Sequence, residues 1–335
     1  MISAEKFHYA GNYRVQGKKS YSQSKLIGSW VSSAKGILTS EEINLALECH
    51  SCWSGQTILM RPAVITKRTG QFASQMDILY KRDLFSNDVE SSLMVCDIVD
   101  VAKGMSLWKK RLSLAHNMFD VDSLKFLQNM FLEDCSETVA NELLLHEGGH
   151  FIGYDINSKM SDSYFKINEN YLWPLIFLEE MRADFHAFGL ASKVLDIEAA
   201  SKVFLFTVVT RLVAHVEGIV NSGIAPYGAV PYFLYHFLFS NGFLGIKKVN
   251  DRYVFSIKCL CIDKISKVMM QCEIHALELV TLPEFKANGV IDAATCSANY
   301  ARSRFLDSDV LSGYDVLMNN FIEGIKHDKR ETSKN

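Results

Sequence analysis

The chain has 335 residues, of which 48% are hydrophobic and 22% charged, and a formal charge of -3. A chain of this size and composition buries a large core and forms one large domain or two intimately packed ones. The small acidic excess argues against a general binder of nucleic acid or of anionic membranes.

The first residues, MISAEKFHYAGNYRVQGKKS, lack the apolar run of a signal peptide, so a cytoplasmic protein is expected. The eight cysteines then read as free thiols of a reducing compartment. The CxxC at Cys49 and Cys52 and the CxC at Cys259 and Cys261 lack the turn glycines and spacing of a zinc knuckle. Residues 1–55 read as irregular and polar, apart from a helix opened by the capping signal Thr39-Ser40-Glu41-Glu42.

From Gln56 the pattern changes. TILMRPAVITKR, SQMDILYKR and SSLMVCDIVDVA are rich in β-branched and aliphatic residues and predict three or four strands of one sheet. Helical spacing of apolar residues predicts helices over 104–118 and 122–132. Asp134-Cys135-Ser136-Glu137 is a cap signal for a helix running to about residue 151. Residues 159–169 read as a loop crossing the site, and 171–190 as a helix with Pro174 in its first turn. The apolar helices predicted over 195–220 and 230–239 are too short, or carry Arg211 and histidines, so no membrane span is expected. A strand at 252–258 and helices over 262–281, 291–304 and 308–326 complete the chain.

The predicted organisation is α+β. A sheet-bearing part, 1–155, ends in the motif helix, a mostly helical part follows over 156–326, and 327–335 is a solvated tail. The site is expected in a cleft between the two parts.

That site centres on His146-Glu147-Gly148-Gly149-His150, an HExxH sequence. On a helix, residues four apart share a face, so both imidazoles reach one metal ion while Glu147 is placed to take a proton from water. Each glycine costs about 1 kcal/mol relative to alanine in a helix interior. Close approach by a substrate or a crossing helix would account for that cost. Thirty residues on, LEEMRADFHAF offers Glu180 and Asp184, four apart and about 40° around the axis. They border an apolar arc of Phe177, Met181 and Phe188, where acids are costly unless something positive receives them. A zinc ion and a histidine N–H would do so. Glu179 falls on another side, either supporting the site from behind or simply exposed, with an i,i+3 bridge to Arg182 as the bland alternative.

HExxH followed by a Glu-x-x-x-Asp helix resembles the gluzincin metallopeptidases, and EEMRAD at 179–184 is similar to the EECRAE/D signature of the dipeptidyl-peptidase III family. The resemblance implies a zincin-like fold, Zn2+ held by His146, His150 and Glu180, Glu147 as general base, and Asp184 orienting a ligand histidine. It covers only about 143–188. That family has one more residue in its first motif (HExxGH), and its chains are about twice as long. A metzincin reading fails, because Ile156 stands at the third-ligand position.

The function expected is hydrolysis of an amide or peptide bond in a small substrate. The oxyanion then needs a donor from the C-terminal part, with His236 or His215 as candidates. Two other classes remain open from sequence. Glu147 and His150 also form half of a helical di-iron carboxylate site, with Glu180, Asp184 and His186 as further ligands. The metal could also hold the fold for a partner without turnover.

Overall fold

The computed structural model describes residues 6–15, 18–31, 36–70, 79–81, 96–132, 135–153, 166–167, 170–171, 173–220 and 230–281, with Thr295, 298–300, Ser303 and 316–319. The N-terminal part is a five-stranded sheet in the order β1-β2-β3-β5-β4. Its strands are β1 (Lys6–Val15), β2 (Lys18–Trp30), β3 (Arg61–Thr69), β4 (Leu79–Lys81) and β5 (Cys96–Asp100). Neighbours are antiparallel except β3 and β5, which run parallel.

The three apolar runs after Gln56 thus supply β3, β4 and β5, as their composition predicts. Residues 1–55, read as irregular, instead contain β1 and β2. The reason is local: among their described side chains only Phe7, Leu26, Gly28 and Trp30 are buried, so the period-2 signal is diluted by polar and small residues. Pairing of β2 with β3 stabilises the β1–β2 hairpin from outside the segment. Phe7, Leu26, Trp30, Ala63, Ile65 and Ile98 form a small core of their own, separate from the main one.

Helices build the rest: α1 (Ser40–Glu48), α2 (Val101–Ala115), α3 (Val121–Met130), α4 (Ser136–Gly149), α5 (Trp173–Val194), α6 (Ile197–Val220), α7 (Val230–Ser240) and α8 (Ile262–Thr281). The Thr39 capping box is present: its side chain receives Glu42 N–H, and Glu42 Oε2 receives Thr39 N–H. α4 starts where the cap signal stands, but Cys135 at the N-cap contributes no side-chain hydrogen bond, and Asp134 lies outside the described residues. Pro174 sits in the first turn of α5, where its missing N–H costs nothing. The strand expected near 252 is β9 (Arg252–Ile257), paired with β8 (Leu244–Val249) across Asn250 and Asp251, both with positive φ. Between α4 and α5 lies a small pairing of β6 (Lys166–Ile167) with β7 (Asn170–Tyr171). Most of the expected loop 159–169, of the helices over 291–304 and 308–326, and all of the tail lie outside the described residues.

Three helices are deeply buried, α6 among them from Val203 to Val213. α4 is buried on all sides from Thr138 to Gly149 except Leu143 and Glu147. From Leu178 to Ala191 of α5, every residue except Glu180 is buried. The sequence carries the means for the close crossing of α4 and α5. A Cβ on Gly149 would lie 2.3 Å from the carbonyl oxygen of Ala183, a backbone atom with nowhere to retreat. A Cβ on Gly148 would meet only side-chain methyl groups, Ile43 Cγ2 at 3.0 Å and Leu190 Cδ1 at 3.4 Å. A crossing helix, rather than a substrate, thus accounts for the glycine pair.

Gly149→Ala is expected to destabilise the fold by about 1–3 kcal/mol through overpacking, although alanine is the better helix former. Gly148→Ala, facing movable methyl groups, should lie within about 1 kcal/mol of the parent. Urea denaturation of the two variants checks the contrast, and equal stabilities would contradict it.

Candidate metal centre

His146 and His150 project from the last turn of α4 and its C-cap, with ring centroids 4.9 Å apart. The crossing at Gly149 sets α5 against them. His146 Nδ1–H donates to Asp184 Oδ1 at 2.8 Å, and His150 Nδ1–H donates to Glu179 Oε1 at 2.8 Å. With each Nδ1 held by a carboxylate, Nε2 is the nitrogen that would take a ligand role. Both Nε2 atoms approach the same oxygen: Glu180 Oε2 lies 3.2 Å from His146 Nε2 and 3.9 Å from His150 Nε2. That oxygen is buried yet has no aligned hydrogen-bond donor, a costly state for a carboxylate. Glu147 completes the cluster, one ligand-capable atom from each of His146, Glu147 and His150 lying within 4.8 Å of the others.

The charges explain why such a group survives in an apolar interior. Burial pushes the Asp184 carboxyl upward, but Arg211 overcomes it and holds that acid far below the usual carboxylate range. The guanidinium donates through Nε to Oδ2 at 2.8 Å and through Nη2 to Oδ1 at 2.7 Å. Glu179 has its own arginine, Arg182 donating through Nε at 2.9 Å and Nη2 at 2.6 Å. Glu180 has none; its pKa is lowered, against its burial, by the contact with His146 and the charges around it. Burial would push His146 downward, yet its contacts with Asp184 and Glu180 raise its pKa well above that of free histidine. The space between His146 and Glu180 therefore favours positive charge. A divalent cation suits it, and the donor set of two imidazoles and one carboxylate is one that zinc accepts.

The two residues expected behind the ligands both contact a histidine. Asp184 touches His146. Glu179, left open as supporting or exposed, is buried, with 4% of its surface exposed, and holds His150, and the i,i+3 bridge to Arg182 is present but buried. The oxyanion candidates are not brought into the cluster by anything described. His215 lies on α6 one turn beyond Arg211, with its side chain outside the described residues, and His236 is half-buried on α7. The di-iron arrangement finds no support. Asp184 is taken up on both oxygens by Arg211, and His186 contacts Glu273 of α8 instead of the HExxH histidines.

Sequence reading missed the two arginines as parts of the site. Their signal was a cation inside the apolar run 203–216 for Arg211, and the i+3 spacing from Glu179 for Arg182.

A second cluster joins His50, His186 and Glu273. Gly189 makes room for it, since a Cβ there would fall 2.5 Å from the Glu273 carboxyl carbon. Here the tautomer of His50 opposes metal binding. Cys52 N–H donates to His50 Nδ1 at 3.1 Å, so His50 Nε2 carries its proton and donates to Glu273 Oε1 at 2.9 Å. His186 Nδ1–H donates to the other carboxylate oxygen at 3.0 Å. The cluster is a hydrogen-bonded tie between the end of α1, α5 and α8. Burial drives the His186 pKa down to about 4, and the two imidazoles bring Glu273 to about 2 despite its own burial. The cysteines at 49, 52, 259 and 261 are unpaired and belong to neither cluster.

A cavity of about 530 Å³ opens elsewhere, near the first turns of α4 and α6, between Leu38, Thr138, Asn141 and Lys202. Thr138 lies two helical turns, about 12 Å, from His146 along α4, and none of the clustered residues lines that cavity.

No family model and no curated protein sequence matches the chain. Among solved structures, the fold is similar to DPP III from Caldithrix abyssi, with a TM-score of 0.60 and 13% sequence identity. The match covers 96% of this chain and 59% of that one, so the chain spans less than two thirds of the DPP III structure. At this identity the likeness speaks for the fold, which is α+β and zincin-like.

His186 gives the fold a pH dependence with a definite sign. The unfolded chain protonates this histidine as pH falls through about 6.5, the folded chain only near 4. The contribution is complete above about 6.5 and is lost as pH falls toward 4, up to about 3 kcal/mol. His186→Asn keeps a donor for Glu273 without titrating. Its stability should fall less than that of the parent between pH 7 and 4.5 in parallel denaturation series, and identical slopes would exclude His186 as the source.

Proposed function

We propose that the chain is a zinc-dependent peptidase-like hydrolase of gluzincin type, with His146, His150 and Glu180 as ligands and a small peptide or amide-bearing molecule as substrate. One observation carries the reading: a buried Glu180 oxygen without a hydrogen-bond donor faces two histidine Nε2 atoms whose Nδ1 atoms are both held by carboxylates. The zincin-like fold and the likeness to DPP III support it. No helix among the described residues is long and apolar enough to cross a membrane.

Bound zinc would supply Lewis-acid polarisation of a substrate carbonyl and a lowered pKa for water. The chain's own residues do the rest. Glu147, one position from His146 and only half-buried, takes the proton of the attacking water and returns it to the leaving nitrogen. Asp184 and Glu179 hold the two imidazoles in the orientation that presents Nε2. Glu180 and His150 are the more open members, with 17% and 21% of their side chains exposed, and define the side from which substrate enters. The donor for the developing oxyanion is assigned to His236 or His215 of the C-terminal helices.

Elemental analysis of the purified protein should give about one zinc per chain, lost or sharply weakened in Glu180→Ala and His150→Ala. Two irons per chain would favour oxygen-dependent chemistry, and a metal-free protein with folded variants would end the hydrolase reading. Glu147→Gln should keep its zinc while kcat on peptide substrates falls by about 10²–10⁴. Retained metal with no turnover in the parent itself would leave a binding protein.

A further inference from the structure

We infer that Arg211 and Arg182 are positioning residues of the metal centre, acting on the two histidines through Asp184 and Glu179. The inference rests on the zinc reading above and adds to it a pair of matched relays, His146–Asp184–Arg211 and His150–Glu179–Arg182.

The geometry of each relay is complete on the carboxylate. Asp184 gives Oδ1 to His146 Nδ1–H and to Arg211 Nη2, and Oδ2 to Arg211 Nε. A guanidinium that grips both oxygens fixes the plane of the carboxylate, and the carboxylate then fixes the plane of the imidazole. Glu179 is gripped in the same way, Arg182 Nε and Nη2 both reaching Oε2, at 2.9 and 2.7 Å, while Nη2 also reaches Oε1, the oxygen that holds His150. Arg182 touches the His150 carbonyl as well, at 3.5 Å. The two relays come from different places: Arg182 from α5 itself, Arg211 from α6, 27 residues beyond Asp184.

Charge gives the second half of the argument. Asp184, Glu179, Arg182 and Arg211 are all buried, with 2%, 4%, 1% and 8% of their surface exposed. Asp184 and Glu179 are each matched by an arginine, so the carboxylates left to face a cation are Glu180 and Glu147. A divalent ion held by Glu180 and two neutral imidazoles keeps a net positive charge, which electrophilic chemistry requires. If the arginines were lost, the carboxylates behind the histidines would add to the negative charge and be free to turn. Arg211 also lies 3.6 Å from Glu142 Oε1, one turn before His146, so its charge serves a second buried acid. A role confined to supporting the fold is therefore the competing explanation, and the test must separate the two.

The measurement is zinc affinity at one fixed pH, by competition with a chromophoric chelator, on protein checked for folding by circular dichroism. Arg211→Met is expected to weaken zinc by about 10–100-fold, and Arg211→Lys, which supplies charge without the fork, to recover part of that loss. The deciding comparison is a double-mutant cycle. In the Asp184→Asn background, where the relay is already cut, adding Arg211→Met should cost no further affinity. Glu179→Gln with Arg182→Met should behave likewise. Each paired variant removes both charges of its relay, so it is expected to be less destabilised than the single arginine variant, with folding checked by circular dichroism in each case. Parent-like affinity in Arg211→Met and Arg182→Met, or losses that add in full in the paired variants, would overturn the relay. A parent protein that binds no zinc would instead overturn the metal reading itself.

Discussion

Gly149 lies against the carbonyl of Ala183, and that contact sets the distance between α4 and α5. Every polar contact of the metal cluster spans those two helices or extends from them. With any side chain at 149 the helices must part, and hydrogen bonds of 2.8 Å between His146 and Asp184 and between His150 and Glu179 tolerate little parting. A packing device thus acts as a functional one. The glycine costs the isolated helix about 1 kcal/mol, and the return is a site whose halves come from residues 34 positions apart, Gly149 and Ala183.

The second constraint is electrostatic. α5 is almost wholly buried yet carries Glu179, Glu180, Arg182, Asp184 and His186 within eight positions. Burying so many ionisable groups is ruinous unless each is matched. Four are matched along or across helices: Glu179 by Arg182, Asp184 by Arg211, His186 by Glu273. Glu180 is the exception, and it is also the one residue between Leu178 and Ala191 that is not buried. The helix is arranged so that its single unmatched acid faces outward beside two histidine nitrogens. The two His–carboxylate clusters of the molecule differ in the same terms. In one, the carboxylates occupy Nδ1 and leave Nε2 available, whereas in the other a backbone N–H occupies His50 Nδ1 and its proton goes to Glu273.

Much of this was legible in the chain. HExxH declares two histidines on one helical face, and the pair Glu180 and Asp184 declares a second helix with acids at its apolar edge. Helix starts at Thr39 and Pro174 follow from local chemistry, because caps and proline act through the nearest turn. The apolar runs after Gln56 specify their strands for the same reason. β1 and β2 were not legible, since few of their described positions are buried and apolar, and β2 is completed by a ladder with β3 some forty positions away. Nor could the sequence say which acid serves which histidine, because a one-turn shift of α5 along α4 would exchange their partners.

What the sequence by itself determined, then, is the inventory: two imidazoles, the Glu147 carboxylate between them and two further carboxylates at helical spacing, together with the glycines that permit a close crossing. Spacing along a helix follows from the backbone alone, so those features needed no fold. Tertiary structure decided the rest. It brought Arg211 from α6 onto Asp184 and turned an apparent surface bridge, Glu179 with Arg182, into a buried support for His150. It also took His186 away from the site toward Glu273. These are long-range pairings of charge in a low-dielectric interior, where the partner is chosen by packing geometry rather than by proximity in the chain.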